Sequence, residues 1–155
     1  MLLKLLILIC FVLAGCSIPQ IVVLHDPLTP QEHLQLGLSY EKKGLIEEAI
    51  KHYKEASKSD ARGFLFLGNL YLNQEKYEYA EECYKKAIKK DDKLADAYNN
   101  LAWLYWMRSK NLEEAEKMVK KAIEIERNNP DKIIIYQDTL EKIIRKKSEN
   151  KKVMD

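Results

Sequence analysis

The stretch Phe64–Ala87, FLFLGNLYLNQEKYEYAEECYKKA, decides how this chain folds. It holds two amphipathic runs split by a polar turn, with the skeleton Phe64-x-x-Leu67-Gly68-x-x-Tyr71 followed by Ala80-x-x-x-Tyr84-x-x-Ala87. The same skeleton stands upstream as His33-x-x-Leu36-Gly37-x-x-Tyr40 and Ala49-x-x-x-Tyr53-x-x-Ala56. Downstream it returns as Tyr98-x-x-Leu101-Ala102-x-x-Tyr105 and Ala115-x-x-x-Val119-x-x-Ala122. Gly37 and Gly68 are 31 positions apart, and Gly68 and Ala102 are 34 apart, which is the period of stacked helical hairpins. A mid-helix glycine such as Gly68 costs about 1 kcal/mol against alanine, so close packing has to require it. Small residues seven apart let two antiparallel helices approach, and the aromatic between them fills the space alongside.

On these three copies the chain resembles the tetratricopeptide repeat family over Pro30–Asn128. The resemblance implies an all-α solenoid of helical hairpins, with three repeats at about 30–60, 61–92 and 93–128. Local signals agree. Thr29, Pro30 and Glu32 form an N-cap, an N1 proline and a capping box, and the helix they open runs to about Lys43. Gly44 suits a left-handed C′ position, Ile46–Ser57 forms the partner helix, and Asp60 caps a helix starting at Ala61. The third repeat departs from the pattern: Ala102 replaces the glycine, and Ala115 and Ala122 stand one position late, an insertion in the Lys110-Asn111 turn. Asn129-Pro130 opens a C-terminal capping helix over 131–148, whose Ile133, Tyr136, Leu140, Ile143 and Ile144 form the face that closes the stack. Its far face carries Lys142, Arg145, Lys146 and Lys147, either a solvated cap surface or a site for phospholipid or another anionic partner. Residues 149–155 are expected to fray.

Composition bounds the function. The 155 residues allow one domain with a packed core, and 26 basic against 24 acidic residues leave no basic surplus for nucleic acid as the main partner. Met1–Ser17, MLLKLLILICFVLAGCS, has one lysine, an apolar run too short to span a membrane, and small residues after it, as in a secretory leader over 1–15. Leu13-Ala14-Gly15-Cys16 resembles the lipobox of bacterial lipoproteins. That resemblance implies cleavage before Cys16, a lipid anchor on its sulfur, and, with Ser17 next, residence in the outer membrane facing the periplasm. The alternative is an ordinary leader with a chance cysteine. Residues 16–29, with Pro19 and Pro27, read as an extended tether. Cys10 leaves with the leader, so Cys83 stands without a disulfide partner, either as a small core residue or as a reactive thiol.

The sequence points away from catalysis. His25, His33 and His52 fall in separate contexts, none in a metal-ligand spacing, and no nucleophile elbow, phosphate loop or zincin motif occurs. No metal or cofactor is expected. In the family, first helices line a concave groove that takes peptides or partner helices. Carried over by register, the groove face holds Gln31, Leu34, Leu38 and Glu41, then Arg62, Leu65, Asn69 and Leu72, then Asp96, Asn99, Trp103 and Trp106. Asn69 and Asn100 match the two asparagines of the family's carboxylate-clamp grooves, but Leu65 and Asp96 stand where clamp lysines belong. The expected ligand is therefore not an acidic C-terminus but an extended or helical apolar peptide anchored on Trp103, Trp106 and Leu65. Two other readings stand beside this one: the tryptophans pack beneath the capping helix, and Asn99-Asn100 is exposed and idle. The function expected is a membrane-anchored scaffold or adaptor, with self-association through the convex face or capping helix as the alternative.

Overall fold

The computed structural model describes residues 26–154. Among them are seven helices and no strand: α1 (Pro30–Lys42), α2 (Ile46–Ser57), α3 (Ala61–Asn73), α4 (Tyr77–Lys90), α5 (Ala95–Met107), α6 (Leu112–Ile125) and α7 (Pro130–Met154). None of the described helices is long and apolar enough to cross a membrane. The leader, Cys16 and the tether up to residue 25 lie outside the described residues.

The predicted caps form. The Thr29 hydroxyl accepts from the Glu32 N–H at 3.2 Å while the Glu32 carboxylate accepts from the Thr29 N–H at 2.7 Å. The Asp60 carboxylate accepts from the Arg62 N–H at 2.8 Å. α1 ends on a Schellman turn: Gly44 has φ +74°, its N–H reaches the Glu41 carbonyl, and the Leu45 N–H reaches the Tyr40 carbonyl at 2.9 Å. The same turn recurs after α3 with Glu75 at φ +58° and after α5 with Ser109 at φ +52°, although neither is glycine. The third turn holds one more residue before its helix, and Asn111 at φ +50° absorbs the insertion.

Between paired helices the glycines act as seats for rings. A Cβ on Gly68 would stand 2.5 Å from Cε1 of Tyr84, and one on Gly37 would collide with Tyr53. Both tyrosines are fully buried. In the third repeat Ala102 and Val119 hold the equivalent positions, also fully buried, so a larger seat is matched by a smaller occupant. One apolar cluster joins the first and second repeats, another joins the second, the third and α7, and Phe64 and Tyr71 pack against both. The stack is thus continuous through α3 and α4.

Two expectations about α7 are corrected. It continues to Met154 instead of fraying from 149, because no glycine or proline interrupts it and Lys151 and Lys152 in its last turn suit the negative end of the helix dipole. Its buried side is Tyr136, Thr139 and Ile143, flanked by half-buried Ile133 and Leu140, whereas Ile144 is exposed, because the buried face turns toward Thr139.

Gly44→Ala forces an L-residue into the left-handed region and is expected to destabilise by about 1 kcal/mol. Glu75→Gly removes the same strain and should shift the thermal midpoint the opposite way. Paired thermal unfolding curves of the two variants check this.

Candidate partner-binding groove

The curvature of the stack identifies its inner side. α1 contacts α3, α3 contacts α5 and α5 contacts α7, whereas α2 and α4, and α4 and α6, make no contact with each other. The odd helices therefore crowd the concave side and the even ones splay on the convex side.

The structure divides the sequence-predicted groove residues. Leu34 (2% exposed), Leu65 (6%) and Asn99 (8%) are buried, which removes them as ligand contacts. Leu34 and Leu65 belong to the two core clusters, because their turn of helix faces the neighbouring repeat. Leu38 and Leu72 are half-buried against the same clusters. Asn99 leaves its carbonyl oxygen without a protein partner. Arg62 is exposed, but its guanidinium folds back onto the Asp60 carboxylate at 2.6–3.1 Å. Glu41 accepts from the Tyr53 hydroxyl at 2.6 Å. Asp96 accepts from Lys132 at 2.6 Å and from the Tyr136 hydroxyl at 2.7 Å, so it anchors α7.

What remains on the inner side is a small set. Asn69 Oδ1 accepts from the Tyr84 hydroxyl at 2.9 Å and from Asn100 Nδ2 at 2.8 Å. Its oxygen is spoken for, which leaves the Asn69 amide NH₂ as the donor facing outward. The ring that rests on Gly68 therefore also orients the amide. Trp103 and Trp106 are half-buried, with ring centres 4.6 Å apart. Trp106 packs against the core cluster.

α7 covers part of this surface, as in the alternative that the tryptophans pack beneath the capping helix, and it does so through its lysines. Lys142 Nζ lies 4.8 Å from the Trp103 ring centre and Lys146 Nζ 5.1 Å from that of Trp106, within cation–π range. Lys146 also donates to the Trp106 carbonyl at 2.8 Å, at the C-terminal end of α5. Lys147 reaches Glu116 of α6 at 2.7 Å. The basic face expected to be solvated is in large part the clamp that holds α7 down; Arg145 takes no part in it, its nearest carboxylate being Glu149 of the same helix at 3.9 Å. A helix-spacing argument places residues on a face but does not say how far a lysine stem can bend back over an aromatic neighbour.

Two models of the tetratricopeptide repeat match the chain, one over residues 59–128 and one over 33–62. The chain belongs to the tetratricopeptide repeat family. A curated relative, protein bimA of Emericella nidulans, is 29% identical over 107 residues, and the match spans 67% of this chain but only 13% of that protein's length. Similar solved folds include the first repeat domain of Spaghetti bound to the HSP90 peptide SRMEEVD, with a TM-score of 0.65 and 23% identity over 77% of this chain and 94% of that one. The TPR2B domain of yeast Sti1 in a pHsp70 complex is similar with a TM-score of 0.66 and 23% identity over 75% of this chain and 96% of that one. The type III secretion translocator chaperone SycD of Yersinia enterocolitica is similar at 0.66 and 24% identity over 76% and 93%. At these identities the likeness concerns the tetratricopeptide fold.

Lys147 and Lys120 hold the Glu116 carboxyl down at about 2, with the hydrogen bond from Lys120 the larger cause. A depressed acid stabilises the fold above its ordinary value of 4.5 and loses that contribution as pH falls toward 2. In Lys147→Met the Glu116 titration, followed by carboxyl NMR, should move up toward 4.5 and the acid-side loss of stability should shrink.

Proposed function

We propose that this protein is a non-catalytic scaffold or adaptor of the bacterial cell envelope that holds a partner peptide or helix against its concave face. The observation that carries this reading is the half-buried Trp103–Trp106 pair beside the oriented Asn69–Asn100 amides, all on the inner helices. Aromatic rings give an apolar segment a rigid anchor at low entropic cost, and the free Asn69 NH₂ donates to a ligand backbone carbonyl. That one similar fold is bound to a peptide and another is in complex with pHsp70 supports the same mode here.

Lipidation at Cys16 would tether the domain to the outer membrane on its periplasmic side. This part rests on the Leu13-Ala14-Gly15-Cys16 motif alone. Catalysis has no support from the one described cysteine: the Cys83 thiol is buried, and burial pushes it up to about 11, so at neutral pH it is a protonated core residue. Among the described residues no group of three or more His, Cys, Asp or Glu is arranged to hold a metal.

One observation favours a second reading. Ile134 (66%), Ile135 (55%) and Ile144 are exposed on α7, a surface through which copies could associate.

The test is affinity capture from envelope extract with the full chain in detergent, read by mass spectrometry, beside a Trp103→Ala/Trp106→Ala variant checked for helix content. Partners kept by the wild type and lost by the folded variant support the groove. Equal capture by both, with concentration-dependent sedimentation abolished by Ile134→Glu/Ile144→Glu, moves the function to α7. Separately, Cys16→Ser should release the protein from the membrane fraction.

A further inference from the structure

His33 and His52 do not sit in separate contexts. α1 and α2 bring their Nδ1 atoms to 2.9 Å. The ring centres are 5.2 Å apart, the spacing of two imidazoles meeting nitrogen to nitrogen along one line. Nitrogens that share a metal converge instead on a third point, which draws the ring centres closer for the same contact. The geometry is that of a shared proton. On its other side His33 Nε2 lies 3.2 Å from the Asp26 carboxylate, an ion pair when the ring is charged. The same carboxylate accepts from the Leu28 N–H at 3.0 Å, which fixes the turn leading into α1. His33 is buried, and His52 lies stacked on Tyr40, with ring centres 5.3 Å apart and planes within 8°.

Proton counting then constrains the array. One hydrogen fits between the two Nδ1 atoms, given by His52, neutral or charged, to neutral His33, or by charged His33 to neutral His52. Two hydrogens do not fit, because charging both rings points one N–H at another across 2.9 Å. We propose that His33 and His52 form an acid-opened clasp between the start of α1, with the Asp26 turn held on His33, and α2, which lets go when His52 takes the second proton and both rings are charged.

The surroundings agree. Burial first, then His33 and Lys51, push His52 below its ordinary 6.5, against weaker pulls from Glu48 and Asp26. Glu55 and Lys58 also face this site and pair with each other at 2.5 Å. The Leu28 N–H, chiefly, holds the Asp26 carboxyl below its ordinary 3.8, so it stays ionised while His52 titrates. A base depressed by folding contributes stability that is present above 6.5 and lost as pH falls below it.

The test is NMR on the full chain in detergent, following the imidazole and backbone amide signals from neutral to mildly acid pH. The His52 midpoint should lie below 6.5, and the Leu28 amide should shift with the same midpoint. His52→Gln, which cannot charge, should abolish the Leu28 step. A His52 midpoint at or above 6.5, or a Leu28 step that persists in His52→Gln, overturns the clasp. If the variant does not fold, the wild-type titration alone decides, because Leu28 and His52 titrating apart already contradicts it.

Discussion

Each of the first two hairpins rests on a tyrosine ring laid on helix backbone where a side chain would otherwise stand. Tyr53 on Gly37 and Tyr84 on Gly68 let the paired helices close to a distance that even one methyl group would prevent. The glycine is costly in a helix interior, and a fully buried ring in a close-packed interface more than offsets that cost. The hydroxyls extend the effect. From its seat each ring reaches an inner-helix polar group, Glu41 in the first repeat and Asn69 in the second. Burial, first, raises both phenols above their ordinary range, with Glu41 adding to it at Tyr53 and Cys83 at Tyr84, so they remain donors. Hairpin closure and the polarity of the inner side are therefore set by one contact.

The third repeat shows how the contact can be replaced. Ala102 with Val119 occupies the equivalent buried positions without a hydroxyl, so no phenol from this pair orients the neighbouring amides. Polar work at that end passes to α7: Tyr136 and Lys132 meet Asp96, while Lys142 and Lys146 cover the tryptophans. α7 acts as a strapped helix that both ends the core and narrows the groove.

The fold was legible because its signals are local and repeated. Glycine, alanine and tyrosine recur at fixed spacing, and Thr29, Asp60 and Gly44 mark helix ends whose hydrogen bonds involve only near neighbours. The groove was less legible. Leu34, Leu65 and Asn99 share a helical face with Asn69 and Trp103, but how deep that face sinks depends on the adjacent repeat. Contacts between residues far apart in sequence were the least legible: Lys146 with Trp106, 40 positions apart, and His33 with His52, 19 apart, follow from how hairpins stack. Nothing in the spacing of lysines or histidines announces them.

The account's central claim is that ring and glycine form one unit. Its most direct test is a double-mutant cycle on Gly68→Ala and Tyr84→Val, which rebuilds in the second repeat the pair found in the third. Denaturant unfolding should show Gly68→Ala destabilising by about 1–3 kcal/mol through overpacking. In the Tyr84→Val background the same change should cost less by at least about 0.5 kcal/mol, because the ring it collides with is gone. Equal costs in both backgrounds would contradict the account.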